Sequence, residues 1–315
     1  MLASRTVAKR LFSPRKHLLL ALCVFCCSAE NPLRAQYLNP SDVNALPSKP
    51  ADARISYGRD PLQFGDLRLP KGPGPHPVAI VIHGGCWVSA FADLQNTAAL
   101  ADALRDNGVA TWNIEYRRED NPGGGWPGTF QDVAHAADFL RQIAPKYSLD
   151  LGRVVTIGHS AGGHLALWLA ARHRLPRDSE LYAAQPLALR GVVSLGGPGD
   201  LKAFSSHGAK VCGVDAVGKL LGGSPEQMST RYKQASPVEL LPLGVPQILI
   251  TGVDDQAVPM EYARAYTDAA RKNGDPVNLV VVEHAGHHEY NAPDAVTWLA
   301  VKSAVLLLLD SANPK

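Results

Sequence analysis

Val154-Val155-Thr156-Ile157-Gly158-His159-Ser160-Ala161-Gly162-Gly163-His164-Leu165-Ala166-Leu167-Trp168-Leu169 reads as a strand, a sharp turn and a helix. Residues 154–157 are a short, largely β-branched run, and residues 165–171 are apolar almost all round, which suits a strand and a helix both buried in one layered core. Between them, Gly158-His159-Ser160-Ala161-Gly162 carries a serine through a turn whose neighbours two before and two after must be small, because a Cβ at either would meet the crossing strand or helix. Such a turn lifts the serine Oγ clear of the backbone and aims the Ala161 amide, at a helix N-terminus, at the same point. A lone Gly-x-Ser-x-Gly fixes only three common residues, and a glycine-rich turn with a capping serine satisfies it equally, so its partners must decide.

Outward from this stretch, strands and helices alternate. Upstream, residues 54–58 and 62–69 read as two short alternating strands joined by Asp60-Pro61, the antiparallel edge of a sheet. Residues 78–82 are a fully apolar central strand followed by His83-Gly84-Gly85-Cys86-Trp87, whose glycines let backbone amides turn inward above the strand ends. A helix is expected over 93–107, a strand over 109–114, a loop over 121–128 and a helix over 130–144, with Trp126 read as a packing residue. Downstream come strands over 190–195, 246–251 and 277–282 and helices over 260–272 and 294–309. Residues 199–235 show only a weak helical pattern around 216–221 and read as a small lid or insertion. The alternation calls for one doubly wound, mainly parallel α/β sheet in a single domain over 36–315.

The N-terminus stands apart. Residues 1–16 carry Arg5, Lys9, Arg10, Arg15 and Lys16 with no acid, and residues 18–27 are an uninterrupted apolar run, too short to span a bilayer. This predicts a signal peptide over 1–35, cleaved after Ala35 or, as a second choice, Ala29, and hence an exported protein, periplasmic or secreted, with no stable membrane insertion once the leader is gone. A retained anchor is the alternative. Of 31 Lys and Arg and 29 Asp and Glu, six and one fall in residues 1–35, leaving 25 against 28, a formal net charge of −3. No basic stripe suited to a nucleic-acid partner is left. Cys86 and Cys212 remain as the only cysteines, and an oxidising exterior predicts a disulfide between them that ties residues 199–235 to the Gly84-Gly85 loop. The alternative is a buried free Cys86.

A serine hydroxyl is a poor nucleophile near neutral pH and needs a base in hydrogen-bond reach, which in turn needs an acceptor. Asp255, in Gly252-Val253-Asp254-Asp255-Gln256-Ala257-Val258-Pro259, and His287, in Glu283-His284-Ala285-Gly286-His287-His288-Glu289, each follow a strand of the parallel sheet, so they share its C-terminal edge with Ser160. Asp254 and the remoter Asp200 compete for the acid, and His284 and His288 for the base. His83, His159 and His164 read as structural or pocket residues. No cluster has metal-ligand spacing, and no Gly-Gly sequence is followed by Lys-Ser or Lys-Thr, so neither metal nor nucleotide cofactor is expected.

Taken together, the His-Gly-Gly-x-Trp loop at 83–87, the Gly-His-Ser-Ala-Gly turn at 158–162, the Asp255 segment and Gly286-His287 resemble the α/β-hydrolase serine esterases, over residues 54–309. The resemblance extends to bacterial feruloyl and acetyl xylan esterase-like proteins and to kynurenine formamidases. It implies Ser160 as nucleophile, His287 as base, Asp255, four residues before Pro259, as its orienting acid, and the amides of Gly85, Cys86 and Ala161 as oxyanion donors. Cys86 stands where the related hormone-sensitive-lipase pattern has a third glycine, a change a backbone donor tolerates. The activity so implied is hydrolysis of a small-molecule carboxylic ester through an acyl-enzyme. Arylformamide hydrolysis is the runner-up, which an exported location fits poorly, followed by a serine peptidase and an inactive binding module. Acyl and alcohol preference and oligomeric state are not legible in the sequence.

Overall fold

The structure, a computed structural model, describes residues 37–310; the expected signal peptide lies outside the described residues. A short helix, α1 (Pro40–Asn44), capped by Asn39, precedes the sheet. Then follow β1 (Ala53–Ser56), β2 (Phe64–Arg68), β3 (His76–Ile82), α2 (Ala98–Asp106), β4 (Ala110–Ile114), α3 (Gly125–Tyr147), β5 (Leu149–His159), α4 (Ala161–Ala171) and β6 (Gly191–Leu195). The chain continues through α5 (Leu201–Cys212), α6 (Ala216–Leu221), α7 (Ser229–Ala235), β7 (Gln247–Gly252), α8 (Met260–Lys272), β8 (Val277–Val282) and α9 (Trp298–Asp310). No helix among the described residues is long and apolar enough to cross a membrane.

The strands form one sheet in the order β1-β2-β4-β3-β5-β6-β7-β8. β1 and β2 pair antiparallel, β2 pairs antiparallel with β4, and every pairing from β4 to β8 is parallel. Alternation along a strand sends successive side chains to opposite faces, and β3 shows it: Val78, Ile80 and Ile82 join the core beneath α3, α4 and α8, while Ala79 and Val81 join that beneath α2 and α9. The expected doubly wound α/β-hydrolase architecture is therefore present. α4 is buried along its whole length, which is why its sequence is apolar on every side.

Two local expectations require correction. The composition of residues 121–128 predicts a loop, yet α3 begins at Gly125. Trp126 keeps an extended ψ of 129° ahead of Pro127, and a proline in a first helical turn has no N–H to leave unpaired. The segment 199–235 is not irregular; it holds α5, α6 and α7. The weak pattern read around 216–221 is α6, and α5 and α6 also carry capping signals that α7 lacks. Asp200 accepts from the Ala203 amide and Asp215 from that of Gly218, and left-handed Gly213 and Gly222 end α5 and α6.

Candidate active site

Parallel strands deliver the site. Ser160 follows β5, Asp255 follows β7 and His287 follows β8, so all three stand beyond the same edge of the sheet. Ser160 itself has φ 56° and ψ −120°, a conformation costing on the order of 1–3 kcal/mol that persists only where the surroundings impose it. They do so through the glycines on either side. A Cβ at 158 would lie 2.1 Å from the Gly162 carbonyl oxygen, and one at 162 would lie 2.1 Å from that of Ile82. The amide of Ser160 donates to the Leu195 carbonyl at 2.8 Å, which ties the turn to β6.

His287 Nδ1 meets Asp255 at 3.0 Å from Oδ1 and 2.9 Å from Oδ2. Asp255 is fully enclosed, and its carboxylate also accepts from the amides of Ala257 and Val258 and from the hydroxyl of Tyr290 at 3.0 Å. Burial alone would raise its pKa, but the His287 charge and hydrogen bond, together with the Val258 amide and Tyr290, outweigh burial and hold it below the usual carboxylate range. Asp255 is thus the carboxylate that His287 engages. Asp254 instead bonds Tyr37, and Asp200 caps α5. Among the histidines, His284 is exposed. His288 lines the cavity beside Ser160 without joining Asp255, and burial lowers it to about 4. His164 bonds the Ala235 carbonyl and is likewise lowered to about 4 by burial.

Gly85, Cys86 and Ala161 all border the cavity that holds Ser160 and His287. Gly85, Cys86 and Trp87 have φ of 98°, 52° and 57°, so the loop runs through three consecutive left-handed residues, two of which carry side chains. Three restraints hold it there. Trp87 is buried edge-on against His164. Cys86 is disulfide-bonded to Cys212 at the end of α5, with Cα atoms 6.1 Å apart, as the cysteine count predicts. Below the loop, Glu115 accepts from the Leu94 and Tyr116 amides and from Arg118, and pairs with His83 Nε2 at 3.1 Å. Burial would raise Glu115, yet the His83 charge and hydrogen bond, with Arg118, lower it to about 2.

The cavity measures about 180 Å³. Phe204, Val211 and Cys212 of α5 form one part of its wall, so the 199–235 segment does border the site, as expected of it. Trp126 does not line the cavity and packs against Phe130. Phe91, Trp87, Pro198 and Val258 add further apolar wall, and none of the lining residues is Asp, Glu, Lys or Arg.

Several contributors were not singled out from the sequence. Tyr290 is one, its only signal being a tyrosine three residues past His287. Asn96 is another cavity-lining residue. Pro40 of α1 also lines the cavity, and its neighbours reach two segments around it: the Leu38 amide donates to Glu289, two residues past His287, at 2.7 Å, and Asn44 accepts from Asn96, ahead of α2, at 3.1 Å.

Comparison with known proteins places this geometry. A family model described as BD-FAE matches residues 66–269. Esterase LipC of Mycobacterium tuberculosis is 28% identical over 244 residues, covering 74% of this chain and 59% of LipC. Isoprenylcysteine alpha-carbonyl methylesterase ICME of Arabidopsis thaliana is 26% identical over 252 residues, covering 76% and 57%. The chain thus spans less than two thirds of the length of either relative. Among solved structures, a truncated carbohydrate esterase from gut microbiota superposes with a TM-score of 0.69 at 21% identity, covering 83% of this chain and 99% of the other. Thermogutta terrifontis esterase 2 with bound butyrate gives 0.65 at 20% identity, covering 84% and 97%. At such identities these two structures speak for the fold.

Proposed function

The chain belongs to the BD-FAE family, and from that premise we propose that it is a serine hydrolase of small, uncharged carboxylic esters, acting through an acyl-enzyme on Ser160. The observation that carries the reading is the placement of Ser160, in its strained turn, and the Asp255-bound His287 on one small apolar cavity. His287 takes the proton from Ser160 Oγ as the hydroxyl attacks the ester carbonyl. The amides of Gly85, Cys86 and Ala161 receive the developing oxyanion. His287 then returns the proton to the leaving alcohol, and water repeats the two steps on the acyl-enzyme. Asp255 fixes the ring with Nε2 free to act and stabilises its cation.

The lining selects among substrate classes. An amino-acid formamide such as formylkynurenine carries an ammonium and a carboxylate, and a wall without any Asp, Glu, Lys or Arg offers neither a fixed counterion. A neutral ester needs none. Ligand sites for drug-sized molecules run to about 300–1,000 Å³, so a cavity of about 180 Å³ favours a short acyl group.

Export is part of the proposal. It is supported by the basic and apolar residues of 1–27 and by the Cys86–Cys212 bridge, which suits an oxidising compartment. N-terminal sequencing of native protein tests it, with a new terminus at Gln36 expected and Met1 or Leu2 overturning it. The activity is tested with p-nitrophenyl esters of increasing acyl length, an arylformamide and a peptide anilide. Turnover of acetyl or butyryl esters that vanishes in Ser160→Ala supports the reading; a faster formamide or anilide overturns it.

A further inference from the structure

His159 sits immediately before Ser160, is buried, and joins the two halves of the site through its ring. Its Nε2 lies 2.8 Å from the backbone carbonyl oxygen of His287, and its Nδ1 lies 3.0 Å from Nδ2 of Asn291. A carbonyl oxygen only accepts and an amide nitrogen only donates, so these two partners select a single form of the ring, the neutral imidazole with its proton on Nε2. The chain of bonds extends outward. Asn291 Nδ2 also donates to Asn96 Oδ1 at 2.9 Å, and Asn96 Nδ2 donates to Asn44 Oδ1 at 3.1 Å. Asn96 and Asn291 are buried, so the orientation of each amide is set by its neighbours rather than by water.

We propose that His159 is a positioning residue for the base: through Nε2–H it holds the His287 carbonyl, and with it the imidazole that shuttles the proton, at a fixed separation from the adjoining Ser160. The proposal rests on the esterase reading of the same site. His159 and Ser160 share a peptide bond, so the bond to the His287 carbonyl ties the end of β5, and with it the Ser160 turn, to the loop after β8. The groups facing the ring are His287 and His288, with centroids 4.6 and 5.8 Å away, and Tyr290 at 5.8 Å. Burial, then the charges of His287 and His288, keep His159 well below the ordinary histidine pKa, and the ring stays neutral while His287 cycles through its cation.

The test uses the whole protein with two substitutions and one spectrum. His159→Leu removes the donor at similar bulk, and His159→Gln keeps an amide donor. The leucine variant is expected to lose roughly 10- to 100-fold in kcat with KM nearly unchanged, the scale of a small misplacement of reacting groups. Its acid limb of kcat/KM should move to lower pH, because a base less firmly seated on Asp255 has a less stable cation. The glutamine variant should recover most of the loss. Ring-nitrogen NMR of the wild type should show a protonated Nε2 and a bare Nδ1 at His159. A leucine variant with wild-type kcat and acid limb, a folded glutamine variant as slow as leucine, or a protonated Nδ1 overturns the proposal. Absence of ester turnover in the wild type would overturn the function instead, and the spectrum, which needs no substrate, would still decide the His159 arrangement.

Discussion

Both carboxylate oxygens of Asp255 lie within 3.0 Å of His287 Nδ1, while the adjacent Asp254 turns away to Tyr37. Two neighbouring acids thus have unequal roles, and the inequality is measurable. Asp255→Asn should cost roughly 10³- to 10⁴-fold in kcat on a short ester, because an amide in place of the carboxylate imposes the wrong imidazole tautomer. Asp254→Asn should stay within a few-fold of wild type. Equal losses in the two variants, read by steady-state kinetics, would contradict the assignment.

Acid should weaken the fold in two overlapping stages. His159, His164 and His288 are held below the ordinary histidine pKa by burial, the latter two at about 4, so between about 6.5 and 4 the unfolded chain binds protons that the folded chain does not, and stability falls as pH falls. Glu115 works in the same direction at lower pH. Its folded pKa of about 2 lies below its unfolded 4.5, so its contribution is complete above about 4.5 and is lost as pH drops towards 2. A shift of that size corresponds to on the order of 3 kcal/mol. Urea unfolding from pH 7 down to 3 should show both stages, and Glu115→Gln should flatten the lower one.

Reducing the Cys86–Cys212 bridge should lower both Tm and kcat. The bridge spans 126 residues, for which the chain-entropy model gives about 5 kcal/mol. Its effect on turnover is more local, since Cys86 lies in a left-handed conformation within the 85–87 loop that borders Ser160 and its side chain is anchored to α5. Cys212→Ser, which leaves the Cys86 amide in the chain, should reduce kcat more than KM. A variant melting lower with undiminished kcat would confine the bridge to stability.

Phe204 of α5 is the bulkiest residue that this helix contributes to the cavity wall. Phe204→Ala should move the preferred p-nitrophenyl ester from acetyl or butyryl towards hexanoyl or longer, at a stability cost of about 3–5 kcal/mol if the ring is fully lost from the core. An unchanged chain-length profile would place the acyl group elsewhere in the cavity.

The succession of strands along the chain, the edge pair β1 and β2, and the residues Ser160, Asp255 and His287 were legible because each is written locally. An apolar strand followed by a glycine turn or an acid says where that residue stands, and parallel pairing brings such strand ends together without further information. Asp255 over Asp254 required more than the strand pattern, and the resemblance supplied it through the spacing to Pro259. Of the three helices of 201–235 only α6 showed a pattern, at 216–221; α5 and α7 were obscured by mixed Lys, Ser and Gly, although Asp200 marked the start of α5. The relay behind His287 left no local trace. Asn96 and Asn291 are 195 residues apart, and Asn291 and His159 are 132 apart, so only tertiary packing joins them.

α1 and its flanks precede residue 66, where the family match begins, yet Pro40 walls the cavity, Leu38 bonds the loop of the base and Asn44 terminates the amide relay. A chain trimmed to residues 66–269 would keep Ser160 and Asp255 but lose the Pro40 wall at one end and β8 with His287 at the other. Substitutions at residues 38–44 are therefore a route to a reshaped cavity wall that leaves Ser160, Asp255 and His287 untouched.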